Sequence, residues 1–476
     1  MMKARFLLFI LLVTIGADLC QAQSIRQRKT DSVFQLVKKY LNAKQADSIY
    51  SMAGQAFRKE LSPETFRYVA QNQLFPAGRI SESSLLSFVN DKIATYKLTF
   101  DSGILQLQMS LDDNDKLELF YFSVYKKDAG NKAAPAGTTN LMRTQLDKKV
   151  DSAARKYIQK ANTVGLSIGI LRDGTVNTYN YGETERGNSK LPDANTLFEI
   201  GSITKTFTAT LLAYYADQHK VKLTDPIVKF LPDSVAANKQ LQGITLEMLS
   251  NHTSGLPRLP DNYINHASVP QDPYKDYNKQ DLFEYLKTCK LVTKPGERYD
   301  YSNLGVGILG MILAQVSGKT FEQMIEQVIC HPLNMESTVQ TLTPARQKRF
   351  AKVYNEDGQE TLPWHFNVLA PCGALHSTVN NLLTYARANM TPAPTPVSKA
   401  LQLTHVVTYR QKDLKLGLGW HIIVINNVEY YFHDGGTYGS SSFLVFNPQK
   451  KLAVVVLSNC GASVNDLGVD IVKRIQ

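Results

Sequence analysis

Apolar residues recur at helical spacing from Ser32 to Tyr50, where Val33, Leu36, Val37, Tyr40 and Leu41 form one stripe, and the spacing predicts an amphipathic helix. A second helix is expected from Pro63-Glu64, a proline-plus-acid start, to about Asn72. The period then falls to two. Residues 94–100, 104–109 and 117–125 read as strands, separated by Asp-Ser-Gly and Asp-Asp-Asn-Asp turns. Helices followed by a strand meander predict a small α+β domain over residues 28–127. Residues 128–140, small and Gly- and Pro-containing with no apolar period, read as a linker. Beyond Leu141, a helix carrying Leu146, Val150, Ala153 and Tyr157 leads into a strand at Gly165–Leu171, a turn at Asp173-Gly174 and a return strand. Four more strands are expected at His421–Asn426, Val428–His433, Ser442–Phe446 and Leu452–Leu457, before a helical tail at Val464–Ile475. Strands at both ends with helices between them predict, for residues 141–476, one antiparallel sheet flanked by helices. The expected fold class is therefore mixed α/β (α+β), in two domains.

The N-terminus adds a compartment. Lys3 and Arg5 precede an apolar run from Phe6 to Ile15, and small residues stand at Cys20 and Ala22. This is the pattern of a secretory signal peptide over residues 1–22, cut after Ala22. The run is too short for the roughly 20 residues of a membrane span, and no transmembrane anchor is expected elsewhere. A lipoprotein reading through Cys20 fits less well, because bulky Leu19 stands directly before it. The expected location is exported: periplasmic or secreted. The 476 residues carry a net charge of +11, but export and the lack of a clustered basic block beyond Arg26-Gln-Arg28-Lys29 argue against nucleic acid. Once the leader with its Cys20 is removed, Cys289, Cys330, Cys372 and Cys460 remain, and nothing in their spacing demands disulfides.

Three short constellations could carry chemistry. Ser202-Ile-Thr-Lys205 opens a helical pattern containing Phe207, Leu211 and Tyr215. Residues three apart share a helix face, so the Lys205 amine can reach the Ser202 hydroxyl and act as its base. An ordinary N-cap serine beside a solvent-facing lysine gives the same pattern. Tyr301-Ser-Asn303 offers a phenol and an amide two residues apart, although Tyr40-Leu-Asn42 and Tyr263-Ile-Asn265 match it too. His433-Asp-Gly435-Gly436 ends a strand in glycines that allow a backbone N–H to approach a bound carbonyl. None of the three decides alone.

Together and in order they do. Phe198-Glu-Ile-Gly-Ser202-Ile-Thr-Lys205, Leu249-Ser-Asn-His252-Thr-Ser-Gly-Leu-Pro257, Pro295-Gly-Glu-Arg-Tyr-Asp-Tyr301-Ser-Asn303, Gly417-Leu-Gly-Trp420 and His433-Asp-Gly-Gly436 closely resemble the serine β-lactamase-like hydrolases. That group includes class C β-lactamases, penicillin-binding carboxypeptidases, D-aminopeptidases and esterases. The N-terminal domain resembles the NTF2-like superfamily in pattern only. The hydrolase resemblance implies Ser202 as acylated nucleophile, Lys205 as its base, Tyr301 as proton relay and Asn303 as the group that orients the substrate amide. It implies an oxyanion hole from the N–H groups of Ser202 and Gly436, and a structural role for His252 beneath the site.

One departure bears on substrate. Many relatives carry Lys-Thr-Gly or Lys-Ser-Gly on the last strand of the site, where this chain has His433-Asp434-Gly435. A neutral histidine beside an aspartate weakens carboxylate recognition, so an amide or ester with an uncharged or amine-bearing end fits better. It also leaves a neutral Lys205, rather than an ionised Tyr301, as the expected base. The nine histidines show no metal-binding spacing, and no cofactor is expected. The expected function is an exported serine hydrolase of small peptides, amides or esters, with D-amino-acid peptides first and β-lactams an alternative substrate class. A non-catalytic protein of the same fold that binds cell-wall fragments or penicillin is the alternative function. Peptidoglycan or another envelope polymer is a candidate partner, and a further reading has the first domain dock the hydrolase to it.

Overall fold

The computed structural model describes residues 25–89, 92–125, 136–266, 268–269 and 271–476. The leader expected over residues 1–22 lies outside the described residues, as do residues 128–135 of the expected linker. The chain divides between Lys127 and Asp128 into two compact units.

In the first unit, helices α1 (Ile25–Asn42), α2 (Ala46–Ser51), α3 (Gln55–Glu60) and α4 (Pro63–Val69) precede strands β1 (Ile80–Val89), β2 (Ile93–Phe100), β3 (Gly103–Leu111) and β4 (Leu117–Val124). The helix expected across residues 32–50 is two helices, because the chain turns at Lys44 with φ 56°. Ser62 accepts the Thr65 N–H and Pro63 takes the first turn of α4, where a missing donor costs nothing. The four strands form an antiparallel meander in chain order. The unexpected strand is β1. It carries four serines and a glutamate, and its register with β2 slips between Ile80 and Glu82 and again between Leu85 and Ser87. A slipped strand loses the strict alternation that makes strands readable.

In the second unit the elements that position the site are α5 (Gln145–Ile158), β5 (Gly165–Arg172), β6 (Thr175–Gly182), β7 (Phe198–Glu199), α6 (Thr204–Asp217), α7 (Asn303–Ser317), β8 (His376–Ser377), α8 (Val379–Met390), α9 (Pro396–Thr404), β9 (Tyr409–Gln411), β10 (Leu414–Leu416), β11 (His421–Ile425), β12 (Val428–Gly436), β13 (Ser441–Asn447), β14 (Leu452–Ser458) and α10 (Asn465–Ile475). Eight strands make one antiparallel sheet in the order β6-β5-β14-β13-β12-β11-β10-β9. Its two halves join where β5 pairs with β14, from Leu166 opposite Ser458 to Arg172 opposite Leu452. Residues 136–140, expected as linker, lie along β6 instead: Thr139 N–H donates to Asn180 O and Gly182 N–H to Gly137 O.

Every residue of β13 and β14 is buried. Phe443, Val445, Val454 and Val456 enter a core with α5 and α10, while Leu444, Phe446, Val455 and Leu457 enter a second core with α6, α8 and α9. Helices on both faces explain why these strands read as continuous apolar runs. The same enclosure explains α7, which is apolar all round because residues Asn303 to Leu313 are all buried. Among the described residues no single helix is long and apolar enough to cross a membrane. Cys289, Cys330, Cys372 and Cys460 are buried free thiols.

Candidate active site

Ser202 does not open the α-helix. It sits in a 3-10 turn, Gly201–Ile203, and α6 begins at Thr204. Gly201 makes the turn possible with φ 47°, and an ideal Cβ there would fall 2.8 Å from Gly436 N. A Cβ on Gly435 would stand 2.1 Å from Ile200 O and 2.9 Å from Ser202 N. The end of β12 therefore lies flush against the turn that carries Ser202, and only glycine permits the approach. Gly435 is buried, whereas Gly436 is exposed and Ser202 is half-buried.

Lys205 lies in the first turn of α6 and is 1% exposed. Its Nζ is 3.0 Å from Ser202 Oγ and donates to Cys372 O at 2.6 Å. Burial, with the nearby Arg258 cation adding to it, lowers its pKa to about 8. Around it α6 is buried, and its threonines find acceptors: Thr206 donates to Ile203 O and Thr210 to Thr206 O one turn back along the chain, and Thr208 to Pro371 O of a distant segment. Gly419 of the Gly417–Trp420 motif packs on this helix, where a Cβ would meet Lys205 O at 2.9 Å. Trp420 is buried behind it and donates from Nε1 to Thr404 Oγ1.

Tyr301 closes the other side. Lys205 Nζ lies 4.9 Å from the centre of its ring, and a hydrogen bond with Ser202 partly opposes the burial that pushes its phenol up. His252 holds the Tyr301 loop from beneath. Its Nδ1 accepts the Ser302 N–H at 3.2 Å, its carbonyl accepts the Asp300 N–H at 2.8 Å, and its ring lies 4.4 Å from that of Tyr301. His252 itself adopts a left-handed backbone, φ 61°. Asn303 is the first residue of α7, and its Oδ1 is buried with no partner among the described residues. His433 is 1% exposed on β12. Burial, with His421 and Lys205 nearby, holds its pKa well below the usual value, so it is neutral. Its Nδ1 faces Asp434 O at 2.6 Å, which puts the proton on Nδ1 and leaves Nε2 a buried acceptor without a partner. Ser202, Lys205, Tyr301, Asn303, His433, Gly435 and Gly436 thus meet at one place.

Several residues that sequence reasoning did not single out meet them. Arg258 directly follows the Leu249–Pro257 motif. Its carbonyl accepts the N–H groups of Asn303 and Leu304, and its guanidinium carbon stands 5.0 Å from the Tyr301 ring centre. Glu199 is 3% exposed and accepts the Trp364 N–H at 2.6 Å and the Thr437 hydroxyl at 2.5 Å, tying the turn after Gly436 to the strand before Ser202. Phe366 lies over Gly373, where a Cβ would meet its ring at 3.1 Å, and stacks on Tyr274 with centroids 4.6 Å apart. The two relevant signals were one residue beyond a quoted motif, for Arg258, and inside one, for Glu199. Among the described residues no cluster of His, Cys, Asp or Glu is arranged to hold a metal ion.

The β-lactamase family model matches residues 150–474, which contain every residue of this site. The chain belongs to the β-lactamase family. It is 27% identical over 350 residues to a β-lactamase of Pseudomonas fluorescens, covering 66% of this chain and 94% of that protein. It is 29% identical over 347 residues to the D-alanyl-D-alanine-carboxypeptidase/endopeptidase AmpH of Escherichia coli K12, covering 67% and 87%. Among solved structures, a β-lactamase/D-alanine carboxypeptidase from Pseudomonas syringae superposes with a TM-score of 0.62 at 26% identity, over 70% of this chain and 98% of that one. As a β-lactamase family member the chain is a serine hydrolase, and the matches leave the first unit outside the family region.

Proposed function

We propose that this β-lactamase family member is an exported hydrolase that cleaves an amide or ester through an acyl-enzyme on Ser202, with D-amino-acid-containing peptides as its first substrate class. The observation that carries the reading is the buried Lys205 amine 3.0 Å from Ser202 Oγ with its pKa lowered to about 8. A neutral amine has two N–H groups and one lone pair. One N–H is taken by Cys372 O, and the lone pair accepts the Ser202 proton as Oγ attacks the substrate carbonyl carbon. The Ser202 and Gly436 N–H groups receive the negative charge on the carbonyl oxygen. As the intermediate collapses, the bond to the leaving nitrogen or oxygen breaks, and Lys205 returns the proton to it by way of the Tyr301 hydroxyl. Water then attacks the acyl carbon by the reverse path, giving the acid and free Ser202. Burial keeps Tyr301 protonated, which suits a relay and not a base. Asn303, with its unpartnered Oδ1, accepts the N–H of the substrate amide.

The AmpH likeness supports a peptide substrate and the β-lactamase likenesses keep β-lactams as a competing one. Export rests on the sequence pattern of residues 1–22. The test is intact-mass analysis after exposure to a fluorophosphonate. One adduct on the wild type and none on Ser202→Ala is the expected result, and no adduct on either overturns the reading.

A further inference from the structure

Glu199 is a buried acid that the hydrolysis described above does not use. It stands on β7 three residues before Ser202, is 3% exposed and makes no ion pair among the described residues. A carboxylate taken out of water without a cation is costly unless donors meet its oxygens. Here each oxygen meets one. Oε1 accepts the Trp364 N–H at 2.6 Å, and Oε2 accepts the Thr437 hydroxyl at 2.5 Å. Neither bond reverses easily. A backbone N–H only donates, and Thr437 Oγ1 already accepts the Gly439 N–H at 3.2 Å. Two acceptor oxygens on one planar group, which is what a carboxylate offers, satisfy both partners at once.

The two donors belong to two sides of the site. Thr437 directly follows Gly436, and its N–H closes the turn onto Ser440 O. Trp364 stands two residues before Phe366, and both rings pack on Tyr274, with centroids 5.0 and 4.6 Å away. Phe366 in turn covers Gly373, next to the Cys372 carbonyl that holds Lys205 Nζ. Resting on the hydrolase reading above, we infer that Glu199 is a positioning residue for acyl transfer. Through Thr437 it sets where the Gly436 N–H lies relative to Ser202, and through Trp364 it steadies the segment that carries the Lys205 acceptor. Because Ser202 follows on the same stretch of chain, nucleophile and oxyanion donor are kept in one register. The effect falls on the bond-making step and not on the binding of substrate.

The test is the time course of adduct formation between the full chain and a fluorophosphonate, followed by intact mass at several probe concentrations. This separates the affinity for the probe from the limiting rate, and the phosphoryl oxygen of the probe stands in for the substrate carbonyl oxygen. Glu199→Ala is expected to lower the limiting rate about a hundredfold, with the half-saturating concentration unchanged within about twofold. Glu199→Gln keeps the shape and one acceptor oxygen and should lose only about tenfold. Thr437→Val removes the hydroxyl and should also lose about tenfold. Joined to Glu199→Gln it should cost little more than either alone, because both cut the same bond. Circular dichroism and thermal melting check the folding of each variant, and the Gln and Val variants carry the test if the Ala variant does not fold. Wild-type limiting rates in Glu199→Gln and Thr437→Val, losses that multiply in the double variant, or weaker affinity at an unchanged rate each overturn the inference while leaving the hydrolase reading in place. Absence of an adduct on the wild type fails the hydrolase reading, and the role of Glu199 with it.

Discussion

Two cations flank one phenol ring at nearly equal distance and live in opposite surroundings. Lys205, at the floor of the site, is 1% exposed and has its pKa lowered to about 8. Arg258, at the rim, is exposed. The difference comes from position and from chemistry at once. A buried ammonium with only a hydroxyl and a carbonyl to bond gives up its proton at modest cost, whereas a guanidinium in water never does. The floor therefore supplies a base and the rim supplies a permanent charge. Here the two tasks are separated.

The sharpest way to break this comparison is to give the floor the rim's chemistry. Lys205→Arg keeps the charge and cannot release it, so kcat/KM is expected to fall at least about a thousandfold and not to recover up to pH 10. Activity retained at pH 7 would show that Lys205 serves only as a charge. Gly435→Ala attacks the contact beneath Ser202. Its methyl group would stand 2.1 Å from Ile200 O, and steady-state kinetics should show a loss of about a hundredfold in kcat as the 3-10 turn and β12 are forced apart.

A stability effect comes next. Because the Lys205 pKa is lowered on folding, the unfolded chain binds more protons between about pH 8 and 10.5, so stability rises with pH across that window and the full penalty applies at pH 7. Lys205→Met removes the penalty together with the catalyst. Denaturation at pH 7 should find the variant more stable by roughly 2 kcal/mol, with the gain shrinking towards pH 10. The wild-type profile follows from the same amine: kcat/KM should climb about tenfold per pH unit and flatten near pH 8. The smallest effect sharpens the comparison most. Arg258 disfavours the Lys205 ammonium, so Arg258→Gln should move that midpoint upward, an effect screened away by salt.

Legibility in the sequence followed enclosure. The strands β13 and β14 stood out because helices cover both faces and every position is buried, with continuous apolar runs at Phe443–Phe446 and Leu452–Leu457. β1 was hidden because its two register slips and four serines remove the alternation. Ser202 and Lys205 could be paired from their spacing together with the ordered motifs, but the 3-10 turn before α6 could not, since it depends on Gly201 meeting Gly436 from a strand more than two hundred residues away. Arg258 was passed over for the same reason. An exposed arginine has no periodic signature, and its place over Tyr301 is set by its carbonyl holding the start of α7. His252 was legible as a support because it lies within an ordered motif. What it supports, the Ser302 N–H and the Asp300 N–H, is a tertiary fact.

The seam between β5 and β14 sets a schedule for the molecule. The strand made first in the large sheet pairs at once with β6 on one side, but on the other side finds its neighbour only in the last strand to be made, Leu166 opposite Ser458 across nearly three hundred residues. Closing so long a loop is slow, and no emerging chain can do it before residues 452–458 exist. Ser202 and Lys205 are synthesised early, while the glycines they rest against arrive late. During synthesis the nucleophile and its base are therefore present but unassembled, and reactivity is switched on by the completion of the sheet and not by the making of the residues.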